Sequence, residues 1–369
     1  MPRLSLPEKQ TAKVEFVLSV PLDLMNAMYF THLVGEADGI EGWPAETRKR
    51  MEPDLLEELD LLFTFPRGQP GVMGQFGDHL WAHPETWSDL NSLISYVRKM
   101  PPGVEKSALN PGIQGLAFYS VCIDPYGLQS DGTTGGSPRD TLISELRTIE
   151  ADVEASLALF DDPEQLRSRM ITLIERFYER HYKEDLPRRL PILERSYNAH
   201  RNEQVSDPLE LAKKLSGRSI PCLADVCADG FEKLYFAPSL DVGPYVSCSN
   251  LGSIHGLVYP CEPEFDEEAP DLTPDRRRLA SVYKALGDEQ RLRILHMLHD
   301  KEMYAQEIVE RTGLHQSAVS RHLSFMAAVG LLSARREGNM KFFSINPEMR
   351  ETLTQTTDLF KAPVPERED

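Results

Sequence analysis

Basic residues are in short supply: 40 Lys+Arg stand against 58 Asp+Glu in 369 residues, for a formal net charge of −18. Spread evenly, that deficit would argue against a nucleic-acid binder, since phosphate repels an acidic surface. Cysteine is scarce as well, with five in the chain. The stretch from Met1 to Lys13 is polar and charged and lacks the apolar core of an export signal. Together these features predict a cytoplasmic protein whose cysteines are thiols rather than disulfides. No apolar run reaches the roughly 18–20 residues that a bilayer span needs, so no membrane partner is expected. Internal repeats are also missing. What remains is a globular balance, 41% hydrophobic and 27% charged. The length suggests two or three domains, each with its own core.

The charge is unevenly placed. Residues Arg276 to Arg350 hold 13 Lys+Arg and 8 Asp+Glu, a local +5 that leaves −23 on the rest. Such a shift in sign predicts domains with different partners. Residues 261–273, from Cys261-Glu262-Pro263 through Asp266-Glu267-Glu268 to Thr273, read as an acidic, Pro-rich linker. The expected domains are therefore 14–260 and 274–361, with a frayed tail beyond Ala362.

The large N-terminal region reads as mostly helical. A short strand is expected near Val14 to Val20, then helices from Leu22, from Pro53 and from Pro84. Two or three more are expected between Arg139 and Tyr197, and another from Asp207-Pro208. Glu232 to Phe236, Pro244 to Ser249 and Ile254 to Tyr259 are Tyr/Val/Phe-rich runs that read as a small antiparallel sheet.

Several groups in this region invite a chemical reading. The Gly-rich segment Asp131 to Ser137 has no following Lys, unlike a phosphate-binding loop, and reads as a surface loop. His79 and His83 stand four apart, but Pro84 follows and no third ligand is evident, which favours packing or capping. Cys222, Cys227, Cys248 and Cys261 flank His255 at spacings that match no zinc knuckle. Buried thiols are the main expectation; a thiol or metal switch is the alternative. No nucleophile, base and orienting acid fall together, so no catalytic residue, cofactor or enzymatic activity is expected.

The C-terminal region is more specific. Thr273-Pro274 starts a helix that ends at Gly287, and Asp288 caps the next, with Leu292, Ile294, Leu295 and Leu298 apolar. A third helix, Tyr304 to Thr312, stops at Gly313. In the next one, Val319, Leu323 and Met326 point inward, which leaves Ser317, Ser320, Arg321 and Ser324 outward. A face of small hydroxyl residues with one Arg suits close approach to a major groove. Leu331 to Glu337 and Met340 to Ile345 then form a hairpin that carries Arg335, Arg336 and Lys341. This is a winged helix-turn-helix arrangement, in an overall fold read as mainly α with small antiparallel β elements.

Three segments carry a family resemblance. Ala285-Leu286-Gly287-Asp288-Glu289-Gln290-Arg291-Leu292-Arg293-Ile294-Leu295 resembles the second helix of ArsR/SmtB-type regulators. Gln316-Ser317-Ala318-Val319-Ser320-Arg321-His322-Leu323, before Val329-Gly330-Leu331-Leu332, resembles their recognition helix. Arg335-Arg336-Glu337-Gly338 before Phe342-Phe343 is similar to their wing. The match covers about 70 residues, and the motifs stand in the family's order. Ahead of it, Val14-Glu15-Phe16, Phe236-Ala237-Pro238-Ser239 and Val242-Gly243-Pro244-Tyr245 resemble an uncharacterised helical domain found before such heads.

The resemblance implies a homodimeric regulator, a repressor by expectation, in which each protomer reads half of an inverted repeat in double-stranded DNA. The first and last helices would pair the protomers, the last spanning Glu348 to Phe360. Gln316, Ser317, Ser320 and Arg321 are the expected base-reading set, with Ser324 also DNA-binding and His322 partly structural, and Arg335, Arg336 and Lys341 the phosphate-contacting set. Tyr304 and Gln306 stand where metal-sensing members carry cysteines, so no metal is expected in this head. His315 replaces the Ser that often caps the recognition helix. The N-terminal domain is open to three roles, sensing a ligand, enlarging the dimer interface or recruiting another protein, and its effector is not legible. A rival reading makes that domain an enzyme or a small-molecule binder whose winged helix mediates protein contacts.

Overall fold

The computed structural model describes residues 13–64, 71–100, 143, 153–203, 205–261, 274–337 and 340–349. The central element of the N-terminal domain is α1 (Val20–Leu33), buried on nearly every side. Ser19 caps it by accepting from the Leu22 N–H at 3.2 Å, and Pro21 preorganises its first turn. Around it pack α2 (Trp43–Arg50), α3 (Pro53–Thr64), α4 (Gly71–His79) and α5 (Leu90–Lys99). Further along come α6 (Val153–Asp161), α7 (Pro163–Phe177) and α8 (Leu186–His200), with a π turn at Tyr178–Tyr182. Asp89 and Asp162 cap α5 and α7 by accepting from the N–H three residues on. Pro187 lies in the first turn of α8 and so opens a helix instead of breaking one.

A sheet closes this domain. Its order is β1 (Lys13–Phe16), β2 (Lys233–Ser239), β4 (Ile254–Pro260), β3 (Ser247–Leu251). The β1–β2 and β2–β4 pairs are parallel, and only β3–β4 is antiparallel. The three late runs are therefore not the wholly antiparallel sheet expected from their sequence, and β1 joins them as an edge strand. The difference has a physical basis: β3 turns back as a hairpin onto β4, so β4 regains the direction of β2 and lies beside it. One sheet face packs on α1. The other is covered by α9 (Pro208–Ser216) and α10 (Pro221–Asp229) through Leu211, Leu223, Phe236 and Leu257.

Three helices escaped the sequence reading, for separate reasons. The α2 segment is dominated by Glu46, Arg48, Lys49 and Arg50 and has little apolar stripe. The α4 segment carries Gly71, Gly74 and Gly77, which lower helix propensity. The α10 segment is only nine residues long and has no side-chain cap. The helix expected from Pro84 starts later, because Pro84–Thr86 forms a 3-10 turn and Asp89 caps the helix.

A buried ion cluster ties the domain together. The Arg189 guanidinium, 1% exposed, donates to Asp23 Oδ2 at 2.7 Å and to Asp241 Oδ2, and lies over the Trp43 and Tyr182 rings. Tyr182 and Ser239 hydroxyls also donate to Asp23, at 2.6 and 2.7 Å. These bonds link α1, α8 and the segment after β2, so a charge cluster in the core is matched by donors.

The C-terminal head has its own core, with Val282, Ile294, Ile308, Leu323, Met326 and Phe343 at its centre. Its elements are α11 (Pro274–Leu286), α12 (Glu289–Met297), β5 (Met303–Tyr304), α13 (Ala305–Thr312), α14 (Gln316–Ala328), β6 (Leu332–Glu337) and β7 (Met340–Ile345). The strands run β5-β7-β6, all antiparallel. The expected linker beyond Cys261, the expected last helix beyond Met349 and the Gly-rich segment at Asp131 to Ser137 lie outside the described residues. Among the described residues no helix is long and apolar enough to cross a membrane.

Candidate nucleic-acid interface

The third helix of the head, α13, ends at Gly313 in a left-handed conformation, φ 69°, which only a residue without a Cβ adopts cheaply. The turn leads into α14, whose first N–H groups need a cap. His315 supplies it: Nδ1 accepts from the Ser317 N–H at 3.4 Å and lies 2.8 Å from the Ser317 hydroxyl. Val319, Leu323 and Met326 point into the core as their spacing predicts. Gln316, Ser317, Ser320 and Ser324 lie exposed along the other side.

One of the expected DNA contacts is placed differently: Arg321 is turned toward the N-terminal domain. His322, expected to be partly structural, is buried at 9% exposure. Both face Asp38, in the loop that joins α1 to α2. Asp38 Oδ1 lies 3.5 Å from Arg321 Nε, and Oδ2 lies 3.7 Å from His322 Nδ1. Neither nitrogen has a hydrogen-bond partner among the described residues. The same Oδ2 accepts a hydrogen bond from Arg291 Nη1 at 2.8 Å.

The remaining Arg291 donors are spent inside the head. Nε donates to the Ala285 carbonyl at 2.7 Å and Nη2 to the Lys284 carbonyl at 3.1 Å, so Arg291 caps the end of α11. Its guanidinium also lies over Phe325 at 5.0 Å. The contact around Asp38 is built from several sides. The Tyr245 hydroxyl donates to the Asp38 carbonyl at 2.7 Å, and Lys284 pairs with Glu41. Gly39, at φ 81°, brings its backbone so close to the Phe325 ring that a Cβ would clash. Sequence reasoning missed Asp38, because one acid between Ala37 and Gly39 in a loop carries no local signal.

On the wing, Arg335 and Lys341 are exposed, and Arg336 is paired in register with Lys341. Arg335 already has carboxylate partners. Nε donates to Glu302 at 2.8 Å, Nη1 donates to Glu337 at 2.7 Å, and the plane stacks on Phe342 at 4.5 Å. Its pKa is pushed up by the bond to Glu302 first and by that to Glu337 next. Lys341 Nζ lies 5.3 Å from the centre of the Phe343 ring.

Of the other candidate groups, His79 and Cys261 are packed in the interior, whereas Cys248 is exposed, against the expectation of buried thiols. His79 is buried, lies 2.7 Å from the Tyr96 hydroxyl and stacks near His83, with ring centres 4.2 Å apart. Burial and the neighbouring His83 push its pKa down to about 3. Cys227, Cys248 and Cys261 form no disulfide and sit in different surroundings: half-buried on α10, exposed on β3, and buried beside Ile192 and Leu193. Among the described residues no group of three His, Cys, Asp or Glu side chains could hold a metal ion.

A capped helix-turn-helix with a three-stranded wing defines a winged helix-turn-helix head, the fold of DNA-binding regulators. The family model described as bacterial regulatory protein, arsR family, matches residues 288–334, and the chain belongs to that family through this head. It is 40% identical over 76 residues to the transcriptional activator HlyU of Vibrio cholerae, covering 21% of this chain and 70% of HlyU. It is 37% identical over 78 residues to a probable mercury resistance operon repressor of Streptomyces lividans, covering 21% of this chain and 61% of that protein. A solved structure titled as a homodimeric winged helix-turn-helix domain from Mycobacterium bovis is 26% identical and covers 29% of this chain and 98% of its own, with a TM-score of 0.21. The head is that of a DNA-binding transcriptional regulator.

Proposed function

We propose that the whole chain is a cytoplasmic, homodimeric repressor that binds an inverted repeat in duplex DNA. Gln316, Ser317, Ser320, Arg321 and Ser324 read base edges, His322 holds the helix in place, and Arg335, Arg336 and Lys341 take phosphate oxygens. The observation that carries this reading is the exposed run Gln316, Ser317, Ser320, Ser324 on one side of α14. A helix side meant only for water usually carries long charged residues, whereas small hydroxyl groups permit close approach to a groove. Dimerisation is supported by Tyr283 and Leu292, which are 45% and 48% exposed on the first two helices of the head. Among sensing, dimerisation and recruitment, we assign the N-terminal domain sensing, and not catalysis, a reading supported by the cavity between α1, α4 and β3.

A salt-dependent gel shift with the full chain and the DNA upstream of its own gene tests the reading. Retarded complexes that weaken steeply with salt are expected. No shift at low salt would favour the rival, in which the winged helix serves protein contacts of the kind that Asp38 already makes. The named relatives include both an activator and a repressor, so the sign of regulation needs its own measurement: expression of the chain should lower transcription from a reporter under that upstream DNA.

A further inference from the structure

A cavity of about 390 Å³ opens in the N-terminal domain between α1, α4 and β3. That is a usual size for a small-molecule site. Met25, Met73 and Trp81 give it apolar walls, and Tyr29, Asp78 and Ser249 supply polar groups. Gly74 and Gly77 on α4 leave the space open; a Cβ at Gly77 would sit 3.8 Å from Met25 Cε.

Among the described residues the charge in this cavity is uncompensated. Asp78 accepts a hydrogen bond from the Ser249 hydroxyl and has no cationic partner among the described residues. Burial pushes its carboxyl up to about 6, which still leaves it mostly ionised at neutral pH. The Tyr29 phenol faces the same charge, and its pKa is raised by burial and then by Asp78. A carboxylate and a phenol set among thioethers and an indole complement a cation on an apolar body.

We propose that this cavity binds an amphipathic organic amine and that its occupancy is passed to the winged-helix head. The ammonium pairs with Asp78 and Tyr29, and the apolar body lies between Met25, Met73 and Trp81. Two segments connect the cavity to the head. The helix that carries Met25 and Tyr29 runs directly into the loop that bears Asp38. Strand β3, which carries Ser249, follows Tyr245, whose hydroxyl holds the Asp38 carbonyl. A ligand wedged between α1 and β3 therefore acts on both supports of the Asp38 contact, provided its affinity differs between the contact made and the contact broken. The signalling half rests on the head being DNA-binding; the binding half does not.

Calorimetry on the full chain at pH 7.5 tests the binding half. Phenethylamine and tryptamine are compared with phenylethanol, 3-phenylpropionate and indole-3-propionate. Phenethylamine should bind tenfold or more tightly than phenylethanol and 3-phenylpropionate, or tryptamine than indole-3-propionate, since a charge-assisted bond to a partly buried carboxylate is lost with the neutral and anionic analogues. Asp78→Asn should abolish that preference, and Gly77→Leu should block binding by filling the space, with the melting profile showing that each variant folds. No amine preference in the wild type, or an undiminished one in Asp78→Asn, would overturn the proposal. Gel shifts with saturating amine test the signalling half. A change of at least fivefold in DNA affinity is expected in the wild type and none in Asp78→Asn. Amine binding that leaves DNA affinity unchanged overturns signalling. A chain that never binds DNA instead overturns the reading of the head, and the calorimetric result then stands by itself.

Discussion

Asp38 and Arg291 join the two halves of the chain: a carboxylate from a loop of the acidic domain accepts from a guanidinium of the basic head at 2.8 Å. Arg291 is 8% exposed and keeps two backbone carbonyls besides. The same carboxylate faces Arg321 on the recognition helix, so an acceptor on DNA and Asp38 compete for one guanidinium. Replacing Asp38 with Ala is expected to raise affinity for specific DNA about 3–10-fold, in keeping with about 1 kcal/mol for a partly exposed ion pair. It should also lower thermal stability by about 1–2 kcal/mol, because the Arg291 Nη1 donor loses its partner. Gel shifts and a melting curve check the two effects, and unchanged DNA affinity would remove Asp38 from regulation.

Arg321 and Arg335 should fail in different ways. Arg321→Ala is expected to cost about 1–3 kcal/mol of discrimination between operator and random duplex, the worth of a good base contact. Arg335→Ala should weaken binding on every sequence and flatten the salt slope by about one. Because Glu302 occupies the Arg335 guanidinium, Glu302→Gln should strengthen binding to random duplex. Titrations at several salt concentrations separate the three outcomes; equal loss on both duplexes for Arg321→Ala would refute its base contact.

The Arg189 cluster makes a stability prediction independent of DNA. Arg189→Met leaves Asp23 and Asp241 buried without their cation and should cost about 3–5 kcal/mol in urea denaturation. Asp241 already has its carboxyl pushed up to about 6, by burial first, against the lowering pull of Arg189. Without Arg189 that pull is gone and the Asp241 carboxyl should rise further, so the loss should be smaller in acid and larger toward neutral pH, where the unfolded chain's carboxylate is ionised.

Two neighbours on α4 give opposing pH dependences. The carboxyl of Asp78 rises from 3.8 to about 6 in the fold, so the folded state holds its proton longer, and stability falls as pH rises through that window. The His79 ring drops from 6.5 to about 3, so the unfolded chain takes up the proton first, and stability falls as pH drops below 6.5. Asp78→Asn removes only the first effect. Its stability relative to wild type should grow from near zero at pH 4 to about 1–3 kcal/mol at pH 7, read by urea melts across the range.

Local spacing made much of the head legible. Asp288 before an apolar repeat, Gly313 after one, and a switch from helical to strand period after Gly330 each depend on neighbours along the chain. So do Pro53 and Asp207-Pro208, which start helices where caps and first-turn prolines predict them. The parallel pairing of β2 with β4 was not legible, because it depends on a partner far away in sequence. The orientation of Arg321 belongs with it: helical spacing put the side chain outward, and the loop at Asp38, 283 residues earlier, decided what it faces.

The net charge of −18 illustrates the same division. Sequence by itself determined that the acid excess lies outside a basic head, since the sign of each side chain and its place in the chain need no fold. It also determined the winged helix, whose turns and caps are local. Only the tertiary structure decided that one of those acids rests on the recognition helix, and that another, Asp78, lines a cavity of mixed polarity with no cationic partner among the described residues. Both outcomes arise from packing between distant segments, where burial and proximity, rather than composition, set what a charge can do.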